Sequence, residues 1–180
     1  MKYMIASDLH GSLYYCEKML EAFEREGADR LLLLGDLLYH GPRNDLPRDY
    51  APKKVIEKLN GIKNKILAVR GNCDTEVDQM VLEFPILADY AIVSDGSRML
   101  YLTHGHKFNG KNLPPLCAGD CLLYGHTHVP ESTVEKGIVV LNPGSLSIPK
   151  ESSPHAYMVI TDTEILYKTL DGDVYRREDL

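Results

Sequence analysis

The chain has 180 residues and a mass of 20.2 kDa, with 20 Lys and Arg against 26 Asp and Glu, a formal charge of −6. Its 44% apolar and 26% charged makeup excludes a disordered or collagen-like chain. The acidic balance argues against a partner that presents a long phosphate backbone, as nucleic acid does, but leaves open a single phosphate group, because a local site can override the overall sign.

The length fits one domain over residues 1–180. The opening Met1–Asp8 meets an acidic residue too early for the apolar core of a signal peptide. No apolar run approaches the roughly 18 residues of a membrane helix. A cytoplasmic protein with reduced thiols is therefore expected, without membrane attachment. Of its four cysteines, Cys117 and Cys121 are four apart, but no second pair follows to complete a metal site, so they read as buried or idle thiols.

In chain order, Tyr3-Met4-Ile5-Ala6 reads as a short buried strand. A helix follows, with Ser12 as cap, Leu13, Cys16, Leu20 and Phe23 on one face, and Gly27 as its end. Leu31–Leu34 is a second strand. After an irregular stretch rich in Gly, Pro, Asn and Asp, a second helix starts near Pro52 and stops at Asn60-Gly61. Ile66–Val69 is a third strand. This alternation predicts parallel strands joined by right-handed crossovers.

The second half has few helical patterns. Ala91–Val93 and Met99–Leu102 flank the turn signal Asp95-Gly96. Leu122–Tyr124 is a further strand. Thr133-Val134 and Ile138–Leu141 bracket Lys136-Gly137, and Tyr157–Ile160 and Ile165–Tyr167 bracket Asp162-Thr163. These predict antiparallel meanders, and the two halves together a mixed α/β domain with more than one sheet.

Polar clusters follow five of the strands: Ser7-Asp8-Leu9-His10-Gly11, Gly35-Asp36, Gly71-Asn72-Cys73-Asp74, Thr103-His104-Gly105-His106 and Gly125-His126-Thr127-His128. Strand carboxyl ends are where α/β sheets build sites. Asp8, His10, Asp36, Asn72, His104, His126 and His128 offer carboxylate, imidazole and amide donors, a mixture suited to Mn, Fe, Ni or Zn rather than Ca. One histidine near a turn is more often an ordinary surface or core residue than a ligand. Seven donors in five strand-end clusters are a different matter. Alternate residues of an extended strand point apart, so Asp8-x-His10 and His126-x-His128 need turned backbone to share a site. Gly11, Gly35, Gly71, Gly105 and Gly125 provide for that and for close approach to an ion.

In these residues the chain resembles the calcineurin-like metallophosphoesterases, whose pattern is Asp-x-His, Gly-Asp, Gly-Asn-His-Asp/Glu, His and Gly-His-x-His. Here the pattern runs in order from residue 8 to residue 128. It is closer still to the short bacterial YfcE-type phosphodiesterases, through His40-Gly41-Pro42-Arg43-Asn44, Gly71-Asn72-Cys73-Asp74, Thr103-His104-Gly105-His106 and Asn142-Pro143-Gly144-Ser145. The resemblance implies a four-layer α/β/β/α sandwich of two mixed sheets. It also implies two divalent metal ions, manganese first, that hydrolyse a phosphodiester by in-line attack of a bridging hydroxide. By motif position Asp8, His10, Asp36 and His128 would hold one ion and Asp36, Asn72, His104 and His126 the other. A homo-oligomer is compatible with the same resemblance.

One departure bears on substrate choice. The superfamily's histidine after Gly-Asn is Cys73 here, as in the YfcE-type group. A thiol is a poor substitute for an imidazole acid, which favours a small phosphodiester with a stable leaving group over a simple monoester. Asn72, Cys73, Asp74 and His106 are the expected catalytic positions, Asp74 by orienting a ligand or the substrate, and Arg43 and His40 the expected substrate contacts, Arg43 through a bidentate phosphate contact. Phosphomonoesterase action, nuclease action and a non-catalytic interaction scaffold, the role of the retromer subunit with this fold, are the alternatives. The filled ligand positions favour an enzyme over a scaffold.

Overall fold

The computed structural model describes residues 1–94, 96 and 98–179. Six strands form the first sheet. In chain order they are β1 (Tyr3–Ala6), β2 (Arg30–Leu33), β3 (Ile66–Ala68), and, from the second half, β9 (Ala156–Ile160), β10 (Glu164–Thr169) and β11 (Val174–Asp179). Their spatial order is β11-β10-β9-β1-β2-β3. The second sheet comprises β4 (Tyr90–Ser94), β5 (Met99–Thr103), β6 (Cys121–Leu123), β7 (Glu131–Glu135) and β8 (Ile138–Asn142), in the order β4-β5-β6-β8-β7. Both sheets are mixed, as expected.

β1, β2 and β3 run parallel. Helix α1 (Leu13–Glu26) connects the first two, and α2 (Pro52–Gly61) precedes the third. The Ser12 side chain caps α1 by accepting from the Tyr15 amide, and Gly27 closes it in the left-handed conformation. Pro52 sits in the first turn of α2, where its missing N–H costs nothing. A short helix α3 (Glu76–Val81) starts from a reciprocal Thr75–Asp78 capping box, with Thr75 as its cap.

Two main cores result. Met4, Leu31, Leu33 and Val159 face α1 and α2 through Leu13, Met19, Phe23, Val55 and Leu59. Ile5, Leu32, Leu34, Leu102, Leu123, Met158 and Tyr167 fill the space between the sheets. Each of β1 and β2 therefore supplies alternate residues to opposite layers, which explains their unbroken apolar runs. On the outer face of the second sheet Tyr101, Leu122 and Val140 pack against Phe108, Leu113 and Leu116, so the irregular 104–120 segment forms that layer.

The structure departs from the sequence reading in two places. The second sheet is not a simple meander: β6 lies parallel to both β5 and β8. The 104–120 connection is a crossover, long enough to return the chain to the same edge. The β4–β5 hairpin forms with Ser94 opposite Met99, but Asp95 of its turn lies outside the described residues. β11 was not anticipated, because its Arg176-Arg177-Glu178-Asp179 run is a charged, exposed edge strand without apolar alternation. No helix among the described residues is long and apolar enough to cross a membrane.

Candidate metal centre

The five polar clusters converge because they leave the carboxyl ends of β1, β2, β3, β5 and β6. The backbone turns needed to aim them are made largely by the donor residues themselves. Asp8, His10, Asp36, His126 and His128 all have positive φ, between 51° and 67°. A non-glycine residue in this region is strained by roughly 1 kcal/mol, least for Asp, Asn and His. Glycine contributes mainly by closeness: a Cβ on Gly71 would lie 2.1 Å from Asp36 Oδ1, and one on Gly125 1.9 Å from Ser7 Oγ.

At the centre, His128 Nε2 lies 3.2 Å and His10 Nε2 3.6 Å from Asp8 Oδ1. Asp36 Oδ2 lies 3.4 Å from His104 Nε2 and 3.8 Å from His10 Nε2. Asn72 Oδ1 is 3.0 Å from His104 Nε2. The His126 amide donates to Asp8 Oδ2, and its ring stands 5.1 Å from that of His104. Asp8, His10, Asp36, His104 and His128 are all buried.

Two observations show that these residues fit metal ions. Asp8 Oδ1 is buried with no aligned hydrogen-bond partner among the described groups. In addition, His10, His104 and His128 each present Nδ1 to a backbone carbonyl, those of Tyr39, Leu34 and Ile148 at 2.8, 2.7 and 2.6 Å. With Nδ1 donating, the Nε2 lone pairs face inward, which is the arrangement of metal-ligating histidines. The sets Asp8-His10-His128 and Asp8-Asp36-His104 each bring three donor atoms within 4.8 Å of one another. A third such set, His10-Asp36-Cys73, includes a thiol, and none of the three includes Cys117 or Cys121.

The electrostatics agree. Burial opposes ionisation of Asp8, but His10 and His128 hold its carboxyl well below the usual range. Burial likewise opposes a charged His104, yet Asp36 and Asp8 raise it to about 9. His126 and His106 move down, through burial and the nearby His104. Two buried carboxylates thus favour the charged form of His104 and His10, and cations brought into the site would take that place.

A cavity of about 420 Å³ opens on the centre, walled by His10, Asp36, Asn72, Cys73, His126 and His128 together with Arg43, Asn44, Thr127 and Lys150. Arg43, the expected phosphate contact, is thus on the cavity wall. Lys150 was missed: it follows Pro149 in a segment without a motif, and only the fold brings it to the cavity. His40 does not line this cavity. Its ring packs edge-on against Tyr39 and Tyr50.

The expected catalytic positions separate in the same way. Asn72 and Cys73 line the cavity, and burial followed by repulsion from Asp36 pushes the Cys73 thiol up to about 12. His106 is exposed beside the rings of His104 and His126, outside the lining. Asp74 is buried and does not line the cavity. Its carboxylate accepts from the amides of Asp36, Leu37 and Gly71 at 2.8, 2.9 and 2.7 Å, so it is a positioning residue that fixes the Asp36 turn.

The Asn142–Ser145 turn has a comparable task. Asn142 Nδ2 donates to the Gly125 carbonyl and to Thr127 Oγ1, bracing the loop that carries His126 and His128. The Ser145 and Ser147 hydroxyls both donate to the Asp8 carbonyl, at 2.9 and 3.0 Å. A turn signal in sequence thus becomes the support beneath two ligand loops.

Comparison with known proteins supports the same assignment. The profile of the calcineurin-like phosphoesterase superfamily domain matches residues 1–164. Phosphodiesterase YfcE of Escherichia coli K12 is 52% identical over 166 residues, 92% of this chain and 90% of that protein. The solved structure of YfcE, a phosphoesterase from E. coli, superposes with a TM-score of 0.96 at 49% identity, covering 99% of this chain and 98% of that one. Vps29 of Entamoeba histolytica complexed with Zn shares the fold alone, with a TM-score of 0.59 at 21% identity over 99% of each chain. Half of the residues are thus shared with a phosphodiesterase, and the buried donors fit metal ions. The chain belongs to the calcineurin-like phosphoesterase superfamily and is a metal-dependent hydrolase of phosphoesters.

Proposed function

We propose that the chain is a binuclear phosphodiesterase acting on a small phosphodiester in the cytoplasm. The observation that carries this reading is the place of Asp36. Its Oδ2 faces both His10 and His104, at 3.8 and 3.4 Å, so one carboxylate oxygen is shared between two donor groups. Asp8, His10, Asp36 and His128 form one group, and Asp36, Asn72, His104 and His126 the other. Two divalent ions held there would activate the attacking water and neutralise the phosphoryl oxygens for in-line displacement. The oxygen and nitrogen donors suit manganese, with Fe, Ni or Zn as alternatives.

The protein's own groups do the rest. Arg43 and Lys150 supply positive charge at the cavity wall, against the overall charge of −6, and so give an anionic phosphate a local destination. Asp74 and the Ser145–Ser147 turn fix the Asp36 and Asp8 backbones, which keeps the donors preorganised. Cys73 stands where the wider superfamily has its histidine. Its raised pKa keeps it protonated, and it is too weak an acid to assist a poor leaving group. This favours diesters with stable leaving groups over monoesters.

The test is a manganese-supplemented comparison of bis(4-nitrophenyl) phosphate with 4-nitrophenyl phosphate. The diester is turned over faster, and Asn72→Ala and His128→Ala each abolish that turnover. Faster monoester turnover overturns the diester preference, and activity that survives both substitutions overturns the assigned site.

A further inference from the structure

Two grooves of opposite character share wall residues with the catalytic cavity. Arg43 leads into a groove bordered by Arg48, Asp45 and His155. Cys73, on the other side, also forms part of the wall of a second groove of about 370 Å³, bordered by Leu38, Tyr39, Tyr50, Ile56, Val77 and Val81. That groove lies between the loop after β2, the face of α2 and the short helix α3. Its charged groups are Lys53 and Asp78. Val77 is 69%, Val81 43% and Tyr39 42% exposed, an apolar surface that shares Cys73 with the polar catalytic cavity.

We infer that this groove is the subsite for an apolar, planar ester substituent of the substrate, entered from the catalytic cavity past Cys73. The inference rests on the phosphodiesterase reading and names the substrate class for it. A diester anchored by its phosphate must send two substituents outward. Apart from Gly41 and Pro42, the cavity is walled by polar or charged side chains such as Arg43, Asn44, Asn72, Lys150 and the imidazoles, so a ring gains more burial past Cys73, among Leu38, Tyr39, Tyr50 and Ile56. A thiol suits that junction, because it is small and behaves as a weak hydrophobe, where an imidazole would narrow the passage. Tyr39 links the two regions structurally: its carbonyl orients His10 while its ring lines the groove. A polar substituent would instead follow Arg43 towards Arg48.

The test uses the manganese-loaded full chain and two inhibitors of bis(4-nitrophenyl) phosphate hydrolysis, 1-naphthyl methyl phosphate and dimethyl phosphate. The naphthyl diester inhibits at least about tenfold more tightly, the range typical of filling a modest apolar pocket. Val77→Asn and, separately, Val81→Asn remove most of that advantage and leave the dimethyl phosphate inhibition constant unchanged, which also reports intact folding. Equal inhibition by the two compounds in the unaltered chain overturns the subsite, as does an advantage that survives in both variants. The chain has no Trp, so naphthyl fluorescence reports binding directly and without turnover. Absence of hydrolysis with every divalent ion, alongside Val77-dependent naphthyl binding, would overturn the phosphodiesterase reading while retaining the groove.

Discussion

The Nε2 atoms of His10 and His128 lie 3.3 Å apart, and each ring presents its Nδ1 to a backbone carbonyl. Two inward lone pairs at that separation repel each other unless a cation or a proton lies between them. On the proposed binuclear reading, replacing His128 by Ala lowers the manganese content of the loaded chain from two ions to one, measured by elemental analysis after gel filtration. Hydrolysis falls by roughly a hundredfold or more.

Metal uptake also competes with protons at His104. Its pKa is raised to about 9, so without metal its pairing with Asp36 stabilises the fold. That contribution is complete below the ordinary imidazole pKa and is lost as pH rises through about 9. An ion needs the neutral ring, so binding at pH 7.5 releases protons. Calorimetric titration in buffers of different ionisation heat gives that number directly. A heat independent of the buffer would contradict the arrangement.

Asp74 holds three buried amides at once. Asp74→Ala leaves all three without their acceptor and costs roughly 3 kcal/mol or more of stability, read from urea unfolding. Asp74→Asn retains one oxygen and costs less. Both variants lose manganese affinity, because the Asp36 turn is no longer fixed. A variant of full affinity would show that the turn holds itself.

Gly71 is tight for steric reasons rather than conformational ones. A methyl group there would overlap Asp36 Oδ1 at 2.1 Å, and no rotamer change can relieve a Cβ. Gly71→Ala displaces the shared carboxylate and lowers activity by about a hundredfold. Gly27→Ala, where nothing lies within 4 Å of the added carbon, leaves activity unchanged and loses only about 1 kcal/mol through its left-handed cap.

Far from the site, Glu26 at the end of α1 accepts from Tyr157 at 2.8 Å, from Lys2 at 3.1 Å and from Lys168. Burial opposes its charge, but Lys168, Tyr157 and Lys2 together lower its pKa. The network's stabilisation is therefore complete above the ordinary carboxyl pKa and is lost as pH falls through the lower folded value. Glu26→Gln costs roughly 2 kcal/mol at pH 7, and the gap from the parent chain closes in acid, below about pH 4. Thermal unfolding across pH 3–8 measures both.

What the sequence made legible was whatever depends on residue type at a strand end. Asp8, His10, Asp36, Asn72, His104, His126 and His128 could be named because metal binding demands those side chains and the fold delivers them from consecutive strands. Lys150 and the groove around Val77 could not, because their roles come from which loops meet in space and not from their neighbours in the chain. Asp74 could be read as orienting a ligand or a substrate without the choice between them, since a carboxylate beside a ligand looks the same in sequence whether it faces substrate or backbone amides. His40 sits inside a motif of the YfcE-type group, and that motif does not reveal which way the ring turns. Strand direction in the second sheet was equally hidden, because apolar spacing marks a strand but not the hand of the crossover that follows it.

The left-handed backbone at Asp8, His10, Asp36, His126 and His128 restricts these positions independently of any chemistry. Bulky and β-branched residues are excluded there, while Asn, Asp, His and Gly are tolerated. A lineage that abandoned hydrolysis would still be channelled by its backbone towards this short alphabet, above all Asn and Gly. The positions would then outlive the reaction as a fossil imprint, and only the loss of side-chain donors, not the persistence of the pattern, would mark an extinct centre.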